Sequence, residues 1–249
     1  MGSWRMKVLT YDSNESNHVR RSVLMKNTSI FALAAGMGSL VLATSASADL
    51  GLSVELVRTG AEGQTYRMYV SGMEDDSRID AVFGNASNSL TISAGDGLSF
   101  YQNGLGGNTS TSINSAFFPL APSVEWDSYV TIGTLYQNGA PFGGNALSDI
   151  GINWSSFAAG GALTTDNGSW YVTPDDAQGG EMDNMVLIGQ FTIAGGSGDV
   201  ADDFGAVSVN VQGKYADGTT FQGLNLAIPA PGALALLGVA GLVSRRRRK

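Results

Sequence analysis

The chain contains no cysteine and a single histidine, His18. The first absence removes disulfides, thiolate metal sites and thiol nucleophiles together. His18 precedes the cleavage site read below, so the mature chain would hold no histidine, which excludes a Ser-His-Asp triad and His-ligated zinc or iron from it. Cations are scarce and segregated. Of the 14 Lys and Arg, Arg5, Lys7, Arg20, Arg21 and Lys26 precede residue 49, and Arg245, Arg246, Arg247, Arg248 and Lys249 end the chain. Only Arg58, Arg67, Arg78 and Lys214 lie between. Of the 22 acids, Asp12 and Glu15 precede residue 49, so the middle carries 20 acids against 4 cations, a formal charge of −16. Such a surface repels nucleic acid, and no nucleic-acid partner is expected.

Apolar runs are also few, one near each end. Lys26 is followed by an uncharged, mostly apolar run from Ile30 to Ala43 and then by Ala46-Ser47-Ala48 before Asp49. A cation, an apolar run and a small-x-small site make a secretory signal peptide, cut between Ala48 and Asp49 by signal peptidase after passage through the export machinery. With Met25 as an alternative start, residues 1–24 are an N-terminal extension and 25–48 the signal peptide. The pair Arg20-Arg21 ahead of Ser22-Val23-Leu24 also fits a twin-arginine signal, so both export routes stay open.

At the other end Ile228-Pro229-Ala230-Pro231-Gly232 leads into an uncharged run from Ala233 to Val243, then Ser244 and Arg245 to Lys249. Proline is tolerated in a helix's first turn, so a helix is expected from near Pro231 to Ser244. Its length of about 20 Å falls short of the ~30 Å hydrocarbon core, and spanning would need flanking residues or local thinning. Arg245, Arg246, Arg247, Arg248 and Lys249 form a stop-transfer block that stays cytoplasmic and leaves everything before Pro229 outside.

This order of a Pro-x-Pro motif (Pro229, Ala230, Pro231, then Gly232), a short apolar helix and an Arg cluster closely resembles the PEP-CTERM sorting signal. The resemblance covers only about residues 228–249, and Ala230 stands where the motif has Glu. It implies recognition by an exosortase-like processing enzyme, residence of the helix in the inner membrane before processing, and display at or release from the cell envelope. Proteins of this kind often accompany exopolysaccharide or biofilm matrix, so extracellular polysaccharide is an implied partner. The resemblance carries no activity for the central domain.

Residues 49–227 change character. Short segments rich in Val, Ile, Thr, Tyr and Phe alternate with Gly, Asn, Asp and Ser, which predicts an all-β domain. Ten strands are expected, over 50–58, 65–71, 79–83, 89–93, 98–102, 129–135, 170–173, 185–193, 206–213 and 219–226. Alternation is clearest where Leu52, Val54 and Leu56 face away from Ser53, Glu55 and Val57. Val207, Val209 and Val211 face away from Ser208, Asn210 and Gln212, and Phe191 and Ile193 from Gln190 and Thr192. With no long helical period linking the strands, the expected fold is a single two-sheet β-sandwich, jelly-roll-like or cohesin-like, flanked by the N-terminal signal helix and the C-terminal membrane helix. Asp96-Gly97, Asn138-Gly139, Asn167-Gly168 and Asp217-Gly218 supply turns. The Gly-, Ser- and Asn-rich stretches 103–128 and 138–169 read as long loops, which in a compact domain are functional, disordered or unrecognised strands.

Three sets of residues have a chemical reading, each against a blander one. Glu74-Asp75-Asp76, Asp175-Asp176, Glu181 with Asp183, and above all Asp199, Asp202 and Asp203 offer the oxygens calcium prefers, without EF-hand spacing; solvated loop carboxylates are the alternative. Calcium is the one cofactor for which any case exists. Trp126, Trp154 and Trp170, with Tyr101, Tyr136, Phe142 and Phe157, would make sugar platforms if exposed and core if buried. Glu125 and Asp127 flank Trp126 and on a strand would share a face, as a glycosidase pair needs, although one such pair is expected by chance. The expectation is therefore a non-enzymatic cell-envelope or extracellular-matrix protein, structural or adhesive. Its alternatives are a carbohydrate- or calcium-binding module and a carboxylate-dependent glycan enzyme.

Overall fold

A computed structural model describes residues 50–229. The cleavage residues Ala46, Ala48 and Asp49, the sorting residues Ala230, Pro231 and Gly232, and the block Arg245 to Lys249 lie outside the described residues, as do both flanking helices. No described helix is long and apolar enough to cross a membrane.

Twelve strands follow in chain order: β1 (Gly51–Gly60), β2 (Gly63–Ser71), β3 (Arg78–Gly84), β4 (Leu90–Ala94), β5 (Ser99–Phe100), β6 (Tyr129–Val130), β7 (Ser148–Ile150), β8 (Leu163–Thr165), β9 (Gly168–Tyr171), β10 (Met185–Ala194), β11 (Phe204–Lys214) and β12 (Thr220–Leu226). Two single-turn helices, α1 (Ser155–Ala158) and α2 (Val200–Asp203), interrupt them. All strand pairs are antiparallel. A five-stranded sheet has the order β1-β2-β10-β5, with β6 also on β10. A seven-stranded sheet has the order β7-β9-β3-β11-β4-β8, with β12 on β11. Their apolar faces share one core: Tyr66, Met68, Phe191 and Ile193 from the first meet Val82, Ile92, Trp170, Val209 and Val211 from the second. The protein is thus mostly β, two antiparallel sheets in the arrangement of a sandwich.

The registers show that β3 and β4 are two halves of one long interrupted strand. Residues 78–83 pair with 210–214 of β11 and residues 91–94 with 204–208. Beyond them, β9 and β8 continue the same two-part line. The interruption is a tight excursion at Asn85–Asn88, where the Asn85 side chain accepts from the amides of Ser87 and Asn88. Backbone carbonyls left without ladder partners at such a break need donors. Asn210 supplies one to each side of it, donating to Phe83 O and Asn88 O at 3.0 and 2.9 Å, the latter also accepting from Asn85 N. That is why Asn210 is buried although alternation placed it on the solvated side. At Gly84 an added Cβ would lie 2.0 Å from Thr165 O, so no larger residue fits the junction.

Three other expectations are corrected. Gln190 and Thr192 are fully buried, because the outer face of β10 is covered. A register shift between Leu56 and Arg58 ends the alternation of β1 and leaves Leu56 exposed. The stretch 138–169 holds β7, β8 and α1, and the strand expected over 129–135 is only β6. Of the four turn dipeptides, the glycines of Asp96-Gly97, Asn138-Gly139 and Asp217-Gly218 take positive φ. Gly168 is needed for space instead, since a Cβ there would meet Thr165 Oγ1 at 2.7 Å and Gly151 backbone at 2.9 Å.

Residue 50 enters at the end of the sandwich that holds Ser71 and Met185, the partners at that end of β1 and β2. The chain leaves at the opposite end, where Ile228 and Pro229 lie beside α2 and Gly205.

Candidate functional site

The segment between β5 and β7 is ordered by its own small core. Three turns of 3-10 helix, Ser110–Ser112, Ser115–Phe117 and Pro122–Trp126, gather Ile113, Val124 and Tyr129 against Phe118, Ala121 and Tyr136. The segment lies as a roof over the outer face of the five-stranded sheet. Gln190 Nε2 donates to the carbonyls of Glu125 and Asp127 at 2.9 and 3.1 Å. Ser128 Oγ donates to Thr192 O and accepts from Thr192 N.

Asp127 fixes the start of that roof. Its buried carboxylate accepts from the amides of Asn103, Ser128 and Gly107 at 2.7, 3.0 and 2.9 Å. Burial pushes its pKa up to about 6 against the pull of these three donors. Gly106 has to be glycine, because an added Cβ would fall 1.9 Å from Asp127 Oδ2.

Under the roof, Arg67, Gln190 and Tyr129 stand in register across β2, β10 and β6. Each keeps one buried polar atom without a hydrogen-bond partner: Arg67 Nε, Gln190 Oε1 and the Tyr129 hydroxyl. Burial holds the Tyr129 hydroxyl well above its ordinary pKa. Arg67 adjoins Tyr69 and Tyr136, whose hydroxyls are raised by burial while the guanidinium opposes the rise. Tyr136 reaches about 12, with Glu125 adding to burial. Its hydroxyl donates to Glu125 Oε1 at 3.2 Å.

Beside Arg67 the roof leaves a cleft of about 140 Å³. Its walls are Tyr69, Val186 and Leu187 from the sheet, Gly133, Leu135, Pro141 and Phe142 from the roof, and Gly180, Met182 and Met185. Arg67 is the only charged residue among them. Gly133, at φ +70°, lets the chain pass close to Gln178 O and Phe142.

The residues singled out from sequence take other positions. Asp203 is buried, accepting from the Tyr66 hydroxyl at 2.5 Å, Ser197 N at 2.6 Å and Gly198 N at 2.9 Å. Burial raises its pKa, but these donors outweigh it and hold the carboxyl below the ordinary value. Asp199 caps α2 through Ala201 N, and Asp202 is exposed. Among the described residues no three or more His, Asp or Glu converge as a metal-holding group. Glu181 accepts from the amides of Asp76 and Asn184, and Asp75 from Asn184 Nδ2, which ties two loops together.

Of the aromatic residues, Trp170 and Phe157 are core and present no surface. Trp170 Nε1 donates to Thr131 O at 3.0 Å. Trp154 donates to Asp149, and Trp126 is covered by Arg58, 4.4 Å above its ring. Glu125 and Asp127 are not on a strand: the first lies in a 3-10 turn and the second caps it, so they do not share a face as a strand would have placed them. In the sequence Arg67 is only one of four central cations within an expected strand, and nothing in Thr65-Tyr66-Arg67-Met68-Tyr69 announces a roof above it.

Comparison of the chain with protein-family models, with curated proteins and with solved structures finds no match.

Proposed function

We propose that the chain is an exported protein of the cell envelope or extracellular matrix with a structural or adhesive, non-enzymatic role. The observation behind the role is how the domain uses its buried carboxylates. Asp80 is held by Arg78 Nε at 2.5 Å, Asp127 by three backbone amides, and Asp203 by Tyr66 and the 197–198 amides. Asp127 and Asp203 are each spent on tying segments of the fold together, as in a scaffold, and Asp80 on an ion pair within β3. Delivery rests on the sequence: the signal peptide 25–48 starts export, and the PEP-CTERM-like tail 228–249 presents the chain to an exosortase-like enzyme from the inner membrane. Ile228 packs on the core and Pro229 is exposed, so the tail starts from a fixed point on the surface. We further propose that the sandwich is jelly-roll-like or cohesin-like. The support for this is the non-sequential placement of β10 between β2 and β5.

Fractionation of cells producing the full chain, with N-terminal sequencing of the product, tests this reading. The mature chain should begin at Asp49 and sit in the envelope or the medium, and removal of residues 228–249 should abolish envelope retention. Full-length chain in the cytoplasm with residues 1–48 uncut would overturn it.

A further inference from the structure

We propose that the cleft beside Arg67 binds a small monocarboxylate with an aromatic or branched aliphatic body. In a region with 20 acids and 4 cations, an arginine without a carboxylate needs explaining. Arg58 pairs with Glu62 at 2.6 Å and Arg78 with Asp80 at 2.5 Å. Arg67 has no carboxylate within ion-pair distance among the described residues. Glu55 stands opposite it on β1 without pairing, and Glu125 is taken by Tyr136.

The guanidinium is also partly stripped of water, since Nε is wholly buried and has no partner. A planar fork of N–H donors in an apolar wall is matched by a carboxylate, and the low local dielectric strengthens that bond. Burial keeps the Tyr69 hydroxyl protonated, so it is a second donor on the same wall. A dianion such as phosphate would bring more charge than one arginine offsets, into a domain already strongly negative.

The walls choose the body of the ligand. Leu135, Phe142, Met182, Met185 and Val186 offer apolar contact, and the methionines adapt to irregular shapes. A polyhydroxylated sugar would leave its hydroxyls without partners there. A volume of about 140 Å³ is close to that of an engineered apolar cavity that takes benzene, and suits one ring with a short acid arm.

Phenylacetate and its neutral counterpart phenylacetamide, titrated into the purified exported protein, separate charge recognition from apolar contact. Amide shifts at Gly133, Gly180 and Leu187 report the site, and calorimetry the affinity. Phenylacetate should saturate these shifts and bind about ten-fold more tightly than the amide. Arg67→Met should erase that difference. Should Arg67→Met fail to fold, Met182→Glu decides: on the exposed rim it removes apolar contact for both probes but adds a charge that repels only the anion, so it should weaken phenylacetate several-fold more than phenylacetamide. Absence of saturable shifts with phenylacetate, equal affinities for the two probes, or an equal effect of Met182→Glu on both would each overturn the proposal. None of these results bears on whether the chain is exported, so this site and the localisation reading fail separately.

Discussion

The hydroxyl of Tyr66, on β2 of the five-stranded sheet, donates a 2.5 Å hydrogen bond to the buried carboxylate of Asp203, which leads into β11 of the other sheet. A polar bond between two otherwise apolar faces ties the sheets at one defined point, and removing one partner leaves the other buried and short of a donor. Tyr66→Phe should therefore cost about 1–3 kcal/mol in urea unfolding. It should also change the acid limit. The folded pKa of Asp203 is lowered, so its contribution is present above the ordinary carboxylate range and lost as pH falls through the lowered value. With a donor gone that value rises, and acid unfolding should begin at a higher pH than in the wild type. An unchanged acid midpoint would contradict the assignment.

Asp127 acts in the opposite sense. Its folded pKa is raised from the model-peptide value of 3.8 to about 6, so the native state holds a proton that the unfolded chain has lost between those values. The associated stability is fully present below about pH 4, declines as pH rises to about 6, and is flat above; its size is roughly 3 kcal/mol. Chemical denaturation at half-unit pH steps should show this decline in the wild type and not in Asp127→Asn. Persistence of the same slope in the variant would assign it to other groups.

Gln190 fastens the roof to the sheet through the carbonyls of Glu125 and Asp127. Gln190→Leu should raise hydrogen exchange across 103–128 while amides in β2 and the core half of β10 keep their protection. Uniform acceleration through the whole domain would mean that the roof and the sandwich open as one unit.

Asn210→Val suits a strand, yet it removes the amide that donates to Phe83 O and Asn88 O and accepts from Asn225 N, leaving Asn88 O with Asn85 N alone. The expected loss is roughly 2–4 kcal/mol, measured as a shift in denaturant midpoint with unchanged slope. A neutral substitution would show that solvent satisfies those carbonyls.

Much of the sandwich was legible because its long strands bury one face, and Val207, Val209 and Val211 or Phe191 and Ile193 announce that face by period. Legibility ended where a residue answers to something distant in sequence. Gln190 and Thr192 look solvated until residues 125–128 cover them. Asn210 looks exposed until the break at 85–88 calls for its amide. Strands β7 and β8, of three residues each, are too short for any period and stand among glycines. The cleft was invisible for the same reason. Arg67 and Met182 are far apart in the chain, and the pairing of β10 with β2 and the turn at Met182–Met185 bring them to one wall.

The entry and exit of the chain at opposite ends of the sandwich set how it would carry load. A pull on Pro229 runs lengthwise along β12, whose bonds to β11 lie across the strand direction. A grip at the far end, near Met182 and Met185, would oppose that pull through β10 and β2. The pairs of each ladder then share the force together instead of peeling apart one by one, the geometry in which a small sheet protein resists extension best.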